Sequence, residues 1–139
     1  RWYLADPLPR TTVPAGGYAN TLRWLPHVPS AWRRMIRKSL SDDTSLRFQS
    51  AQQLLNALSS LETPAWRVQV NSDSVRWELM TGERLKVVEW SWQSQRKHRW
   101  EAWSEPLGPT GRKKTLGGSA TPQGARQTIK QLEEFFERN

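Results

Sequence analysis

Residues 25–61 read LPHVPSAWRRMIRKSLSDDTSLRFQSAQQLLNALSSL, a pattern that predicts two helices joined by a tight polar turn. Ser30 is placed to cap the first helix, after which Met35, Ile36 and Leu40 fall on one face. Ser50-Ala51-Gln52-Gln53 opens the second as a Ser-x-x-Gln capping box, whose hydroxyl and amide satisfy two orphan N–H groups. Ala51, Leu54, Leu55, Leu58 and Leu61 then form an apolar stripe at i, i+3, i+4, i+7 and i+10. Between the helices lies Ser41-Asp42-Asp43-Thr44-Ser45-Leu46-Arg47-Phe48. On its caps alone the stretch is a plain helical hairpin.

Several residues in order carry more than that. Leu25-Pro26-His27-Val28-Pro29, Ile36-Arg37-Lys38-Ser39-Leu40 and Asp42-Asp43-Thr44-Ser45-Leu46-Arg47-Phe48-Gln49-Ser50-Ala51 together resemble the end of the C-terminal lobe of eukaryotic-like (bacterial-type) Ser/Thr protein kinases. Thr44 stands where that family usually has Pro, which weakens the turn but keeps the spacing to Arg47. The resemblance covers about a quarter of the chain. It implies that Arg47 is the structural arginine that, in the family, pairs with the buried Glu of an Ala-Pro-Glu motif. No Ala-Pro-Glu occurs here. An unpaired buried charge is costly, so Arg47 is expected to be exposed or to find Asp42, Asp43 or Glu62 instead. The resemblance also implies a kinase body as partner, either upstream in the same chain or as a separate subunit. ATP and Mg would enter only with that body; the chain itself calls for no cofactor.

The chain has 139 residues, enough for one domain or two very small ones. Nine tryptophans favour a well-packed core, and six of them (Trp66, Trp77, Trp90, Trp92, Trp100, Trp103) lie between residues 66 and 103. Net charge is +8; residues 1–63 hold 8 basic and 4 acidic side chains and residues 64–139 hold 13 and 9, so each half is +4. That excess favours solubility and polyanions without marking one patch. With no cysteine, disulfides, thiolate metal sites and Cys nucleophiles are excluded. A cytoplasmic location is the expectation: no apolar run approaches a membrane span, and no signal peptide is evident. Arg1 in place of Met suggests a piece of a longer protein.

Before residue 25, Pro7, Pro9 and Pro14 discourage helix, Gly16-Gly17 invites a turn, and Trp2-Tyr3-Leu4 reads as a short strand or a helix end. Gly16-Gly17 lacks the surroundings of a phosphate loop. His27, between two prolines, is expected to be solvated, and two histidines in all argue against a metal site. Residues 59–64 mark a boundary, because Pro64 forbids further helix and the apolar period then changes from 3.6 to 2.

The second half reads as strands. Trp66, Val68 and Val70 alternate with polar residues, as do Val75, Trp77 and Leu79, across an Asn71-Ser72-Asp73-Ser74 turn. After Thr81-Gly82-Glu83 a third strand runs to Trp92 with a parity slip: Leu85 and Val87 are odd, Trp90 and Trp92 even. Either Val88 marks a β-bulge or the tryptophans face the other way. Residues 93–97 are a polar hairpin loop. The fourth strand puts Trp100 and Ala102 on one face and Arg99, Glu101 and Trp103 on the other. Residues 112–116 are a short fifth strand or a basic loop. A final helix is expected from an N-cap at Thr121 with Pro122 at N1, its stripe formed by Ala125, Ile129, Leu132 and Phe136. The fold class is therefore α+β: a helical pair in residues 1–63, then a four- to five-stranded antiparallel sheet packed by a C-terminal helix in residues 64–139.

One helix leaves one sheet face open, and that face is the candidate surface. Arg76, Glu78, Lys86, Arg99 and Glu101 are expected to point outward. Arg96, Lys97 and Arg99 flank one hairpin, and Arg112, Lys113 and Lys114 form a second basic cluster. Trp66, Trp77 and Trp100 suit a core, whereas Trp103 and one of Trp90 or Trp92 suit exposure, to stack a base or grip a peptide. The spacing of Trp100–Trp103, Gly111–Gly117 and Thr121–Ala125 is similar to sheet-plus-helix DNA-binding modules such as the AP2-like domain and the arm-binding domain of phage integrases. That likeness implies sheet residues in the major groove and basic side chains on phosphates.

Chemistry is not visible. Asp42-Asp43 suits a cap or turn better than a metal pair, no Gly-x-Ser-x-Gly occurs, and neither histidine has an evident nucleophile beside it. The Gly-rich loop, Val-Ala-x-Lys, His-Arg-Asp and Asp-Phe-Gly of kinases are all missing, so these residues cannot transfer a phosphoryl group by themselves. Two functions remain: a non-catalytic C-terminal portion of a Ser/Thr kinase whose accessory module recognises a protein partner or modulates the kinase, or a nucleic-acid-binding module using the basic clusters.

Overall fold

The computed structural model describes Val13, residues 16–94 and residues 96–139. Trp2-Tyr3-Leu4, Pro7, Pro9, Pro14 and Gln95 of the hairpin loop lie outside the described residues. The chain forms two compact units, Arg1–Thr63 and Pro64–Asn139.

In the first unit, α1 (Tyr18–Thr21), α2 (Ser30–Ser39) and α3 (Ala51–Ser59) surround a short 3-10 turn, Thr44–Leu46. Helix α2 starts one residue before the expected cap. Pro29, not Ser30, is the N-cap, and its carbonyl accepts the first helical bond from Arg33 N at 3.1 Å. The Arg33 guanidinium folds back onto the carbonyls of Val28 (2.7 Å) and Pro26 (3.3 Å) and fixes the chain's entry. Ser50 does cap α3, accepting from Gln53 N, but the Gln53 side chain accepts from Gln49 N rather than from the cap residue itself. The Trp32 indole donates to the Glu62 carbonyl at 3.2 Å and ties α2 to the unit's end. The apolar stripes meet little: among the described residues of this unit only Ala19 and Pro26 are buried.

The second unit is α+β in the sense expected. Strands β1 (Arg67–Val70), β2 (Ser74–Thr81), β3 (Arg84–Ser94), β4 (Lys97–Pro106) and β5 (Lys114–Gly118) form an antiparallel meander in chain order, followed by α4 (Ala125–Arg138). Residues 114–118 are thus a strand, not a loop. The parity slip in β3 is resolved by its register. Val75 pairs with Trp90 and Trp77 with Val88 without interruption, so no bulge occurs at Val88. Trp90 and Trp92 share a face with Trp77, while Leu85 and Val87 lie on the other; the register shift comes later, between Trp92 and Ser94. Lys86, expected to point outward, lies by the same register on the Trp90 face, between Leu79 and Ser104. Along β4, Trp100 and Ala102 pair onto the Trp90 face and Trp103 onto the Val87 face.

Helix α4 covers the tryptophan face. Phe136 meets the edges of Trp66 (5.1 Å) and Trp77 (5.3 Å), Phe135 meets Trp100 (5.6 Å), and Leu132 and Thr128 are fully buried. Val75, Trp77, Val88 and Trp90 are likewise fully buried, so the core is one layer of aromatic and branched side chains between sheet and helix. The helix starts later than the Thr121-Pro122 signal suggests. Gln123 is held in an isolated bridge to His98, with N–H···O bonds of 2.8 and 2.9 Å in the two directions, so helical geometry begins only after Gly124.

Candidate binding face of the sheet

The face away from α4 is open, but it is not bare. Val87 and Trp103, a cross-strand pair, lie on it and are both buried, Val87 fully. Their cover is long charged side chains. Lys113 Nζ sits 3.8 Å from the Trp103 ring centroid and the Arg76 guanidinium 5.5 Å from it. Expected exposure of Trp103 is therefore corrected: the ring is on the outer face but 9 % exposed, because cations lie over it. Its Nε1 donates to Glu105 at 3.1 Å, which fixes the indole plane. Trp90 is fully buried and Trp92 half-buried, so neither replaces it.

Two shallow clefts flank Trp103. One, about 200 Å³, runs toward Glu89, Ser91, Arg99 and Glu101; the other, about 400 Å³, runs toward Lys113, Thr115, Gly117 and Gly118. Glu89 and Ser91 were not foreseen as site residues, although their parity along β3 puts them on this face with Val87.

Arginines in the middle of the face are matched by carboxylates. Arg76 pairs with Glu78 at 2.8 Å and Glu89 at 3.2 Å, and Arg99 pairs with Glu101 at 2.7 Å. These pairs are partly solvated and add little stability, but they neutralise the centre. Among the described residues, Arg96, Lys97, Arg112, Lys113 and Lys114 form no such pair. The structure does not bring these five together. Arg96 and Lys97 are at the β3–β4 hairpin, whereas Arg112, Lys113 and Lys114 lie at the opposite end of β4, roughly 30 Å away at about 3.3 Å per residue.

The distal loop is anchored by a residue the sequence did not single out. Arg84 donates to the Ser104 hydroxyl (2.6 Å), the Ser104 carbonyl (2.8 Å) and the Arg112 carbonyl (3.0 Å). One guanidinium thus holds the backbone that presents Lys113 over Trp103. Its signal in the sequence was weak, since an Arg after a Gly-Glu turn looks like surface.

Both histidines depart from the solvated state. His98 is buried between Trp90 and Trp92 and accepts the Trp90 indole N–H at Nδ1, 3.0 Å away, which puts its proton on Nε2 in the neutral ring. His27 is half-buried; desolvation, with the Arg33 charge adding, lowers its pKa to about 4. In the 42–47 turn, Asp43 accepts from Ser45 N and Oγ, which lowers its pKa, and Asp42 accepts from Gly17 N. Both carboxylates thus hold turns. Arg47 is exposed and donates Nε to the Ser41 carbonyl at 2.6 Å, so the carboxylate substitutes considered for it are not its partners. Among the described residues no group of three or more His, Asp or Glu is placed to hold a metal ion, and no helix is long and apolar enough to cross a membrane.

Fold and site together define an open-faced α+β module with a covered aromatic on its free face. No family model, curated protein or solved structure matches the chain.

Proposed function

We propose that the second unit is a non-catalytic recognition module whose open face takes a phosphate-backbone polymer, that is, nucleic acid. The observation that carries this reading is the distribution of unmatched charge. Carboxylates neutralise the arginines at the centre of the face, while Arg96 and Lys97 at one end and Arg112, Lys113 and Lys114 at the other have no carboxylate. Phosphates would contact the ends, leaving the centre to meet bases. A protein partner as ligand, the other expectation, gains no comparable support, since no apolar patch stands at the centre of that face. The reading implies a cytoplasmic setting. Its test is equilibrium binding of an oligonucleotide between 50 and 200 mM salt, comparing the native chain with the combined Arg112→Ala, Lys113→Ala, Lys114→Ala variant. Three lost phosphate contacts, at about 0.7 to 0.9 each, should make the log–log salt slope shallower by about 2 to 3. An unchanged affinity and slope would refute the reading.

The first unit supports a second reading, as the non-catalytic foot of a Ser/Thr kinase C-lobe. What favours it is uncovered apolar surface: Leu40, Leu46 and Leu55 are 39, 60 and 55 % exposed, as suits a segment built to pack on a further body. In that arrangement Arg47, which here holds only a backbone carbonyl, takes the Glu of an Ala-Pro-Glu motif.

A further inference from the structure

We propose that Trp103 is a base-stacking platform capped in the free protein by Lys113, and that the module's preferred ligand is therefore single-stranded nucleic acid rather than duplex. This deepens the reading of the same face given above and rests on it.

The platform is rigid from below and loosely covered from above. Trp103 lies beside fully buried Val87 on the neighbouring strand, and Glu105 holds its Nε1. Arg76 is held by two carboxylates at 2.8 and 3.2 Å and is not free to leave. Lys113 is different: it lies 3.8 Å over the ring, outside any ion pair, in an exposed loop. An exposed cation–π contact is weaker than the stacking of a base on an aromatic ring, so a base can displace the ammonium. The displaced ammonium remains next to the site and is available to the nucleotide's phosphate. Displacement thus exchanges one favourable contact for two.

Strand preference follows from which part of a base is accessible. In a duplex the base faces are closed inside the stack and only edges reach the grooves, so an indole face can meet a base face only where the base is unpaired. The carboxylates agree with this. Glu89 and Glu101 line the cleft beside Trp103 and would repel a phosphate laid over the centre. A single strand avoids them by running its phosphates past the basic ends and turning its bases inward. There Ser91, Glu89 and Glu101 offer acceptors for base N–H groups, with Thr115 across the other cleft.

The test uses the full chain and three fluorescein-labelled probes in anisotropy titrations: a 12-nucleotide mixed-sequence single strand, the same strand with every base removed to leave an abasic backbone, and the 12-base-pair duplex. The native chain should bind the natural strand about 5- to 150-fold more tightly than the abasic one, the range for one stacked base. It should also bind the strand more tightly than the duplex. Trp103→Leu should remove the natural-versus-abasic difference and leave abasic binding unchanged. The abasic comparison uses unaltered protein, so it stands even if Trp103→Leu fails to fold. Equal binding of natural and abasic strands overturns the platform while leaving the phosphate-binding reading intact, as does tighter binding of duplex than single strand. No binding of any probe removes both.

Discussion

Gly117→Ala is a severe test of how the sheet and α4 are joined. Gly117 pairs with Ala102, and a Cβ built there would point to the helix-covered face. It would stand 3.0 Å from Trp100 Cη2, 3.5 Å from Cζ3 and 3.6 Å from Phe135 Cδ2. Ordinary carbon–carbon contact begins at about 3.5 Å, so the indole must withdraw by roughly half an ångström. It is poorly free to do so. Its Nε1 donates to Gln131 Oε1 at 2.8 Å, the same oxygen accepts from Gln123 at 2.6 Å, and Phe135 lies edge-on to the ring. Overpacking of this kind costs about 1–3 kcal/mol. Replacing Gly by Ala in a strand returns about 0.5–1 kcal/mol, which leaves a net loss of about 1–2 kcal/mol. For a unit this small each kcal/mol moves Tm by about 4–8 °C, so a fall of about 5–15 °C is expected in a thermal melt followed by tryptophan fluorescence. Two companions make the reasoning specific. Gly108→Ala, with nothing within 4 Å of the new methyl, should stay within about 0.5 kcal/mol of the native protein. Trp100→Phe shortens the ring that is struck, so Gly117→Ala should cost less in that background, a non-additivity read from the double-mutant cycle. A Gly117→Ala protein as stable as the native one, or strictly additive with Trp100→Phe, would show that the joint is not close-packed.

Two further outcomes bear on the first unit. The His27 imidazole, followed by NMR, should titrate with a midpoint near 4, because burial and Arg33 disfavour its charged form. In the unfolded chain it binds its proton near 6.5, so the stabilisation due to its neutral state is complete above pH 6.5 and is lost as pH falls from there toward 4; a midpoint at 6.5 would mean the ring is solvated. If the helical pair is the foot of a kinase lobe, the coding DNA before Arg1 should continue in frame and include an Ala-Pro-Glu, and an in-frame stop directly before that codon would end the idea.

Much of the second unit could be read from residue order. Strict alternation around Trp77 and around Trp100 specified the buried faces of β2 and β4, since a strand has period 2 whatever it packs on. Turn residues at 71–74 and 81–83 set the hairpins, and the Pro64 break marked the change of period. Caps were less legible. Ser50 serves as expected because its partner, Gln53, is local. Thr121-Pro122 does not, because Gln123 is claimed by His98, a residue 25 positions earlier that no local signal reveals. Parity also failed to place Lys86, because its face depends on register with the neighbouring strands.

The candidate site divides in the same way. Sequence alone determined its parts: an outward-facing Trp103 on β4, two basic clusters and their alternating carboxylates, all consequences of strand periodicity. Tertiary structure decided what the parts do to one another. Strand length set the clusters at opposite ends, Arg84 fastened the distal loop, and that loop placed Lys113 on the indole. Contacts of this kind join residues on different strands and loops, and pairing across a sheet is fixed by register and loop closure rather than by any local propensity.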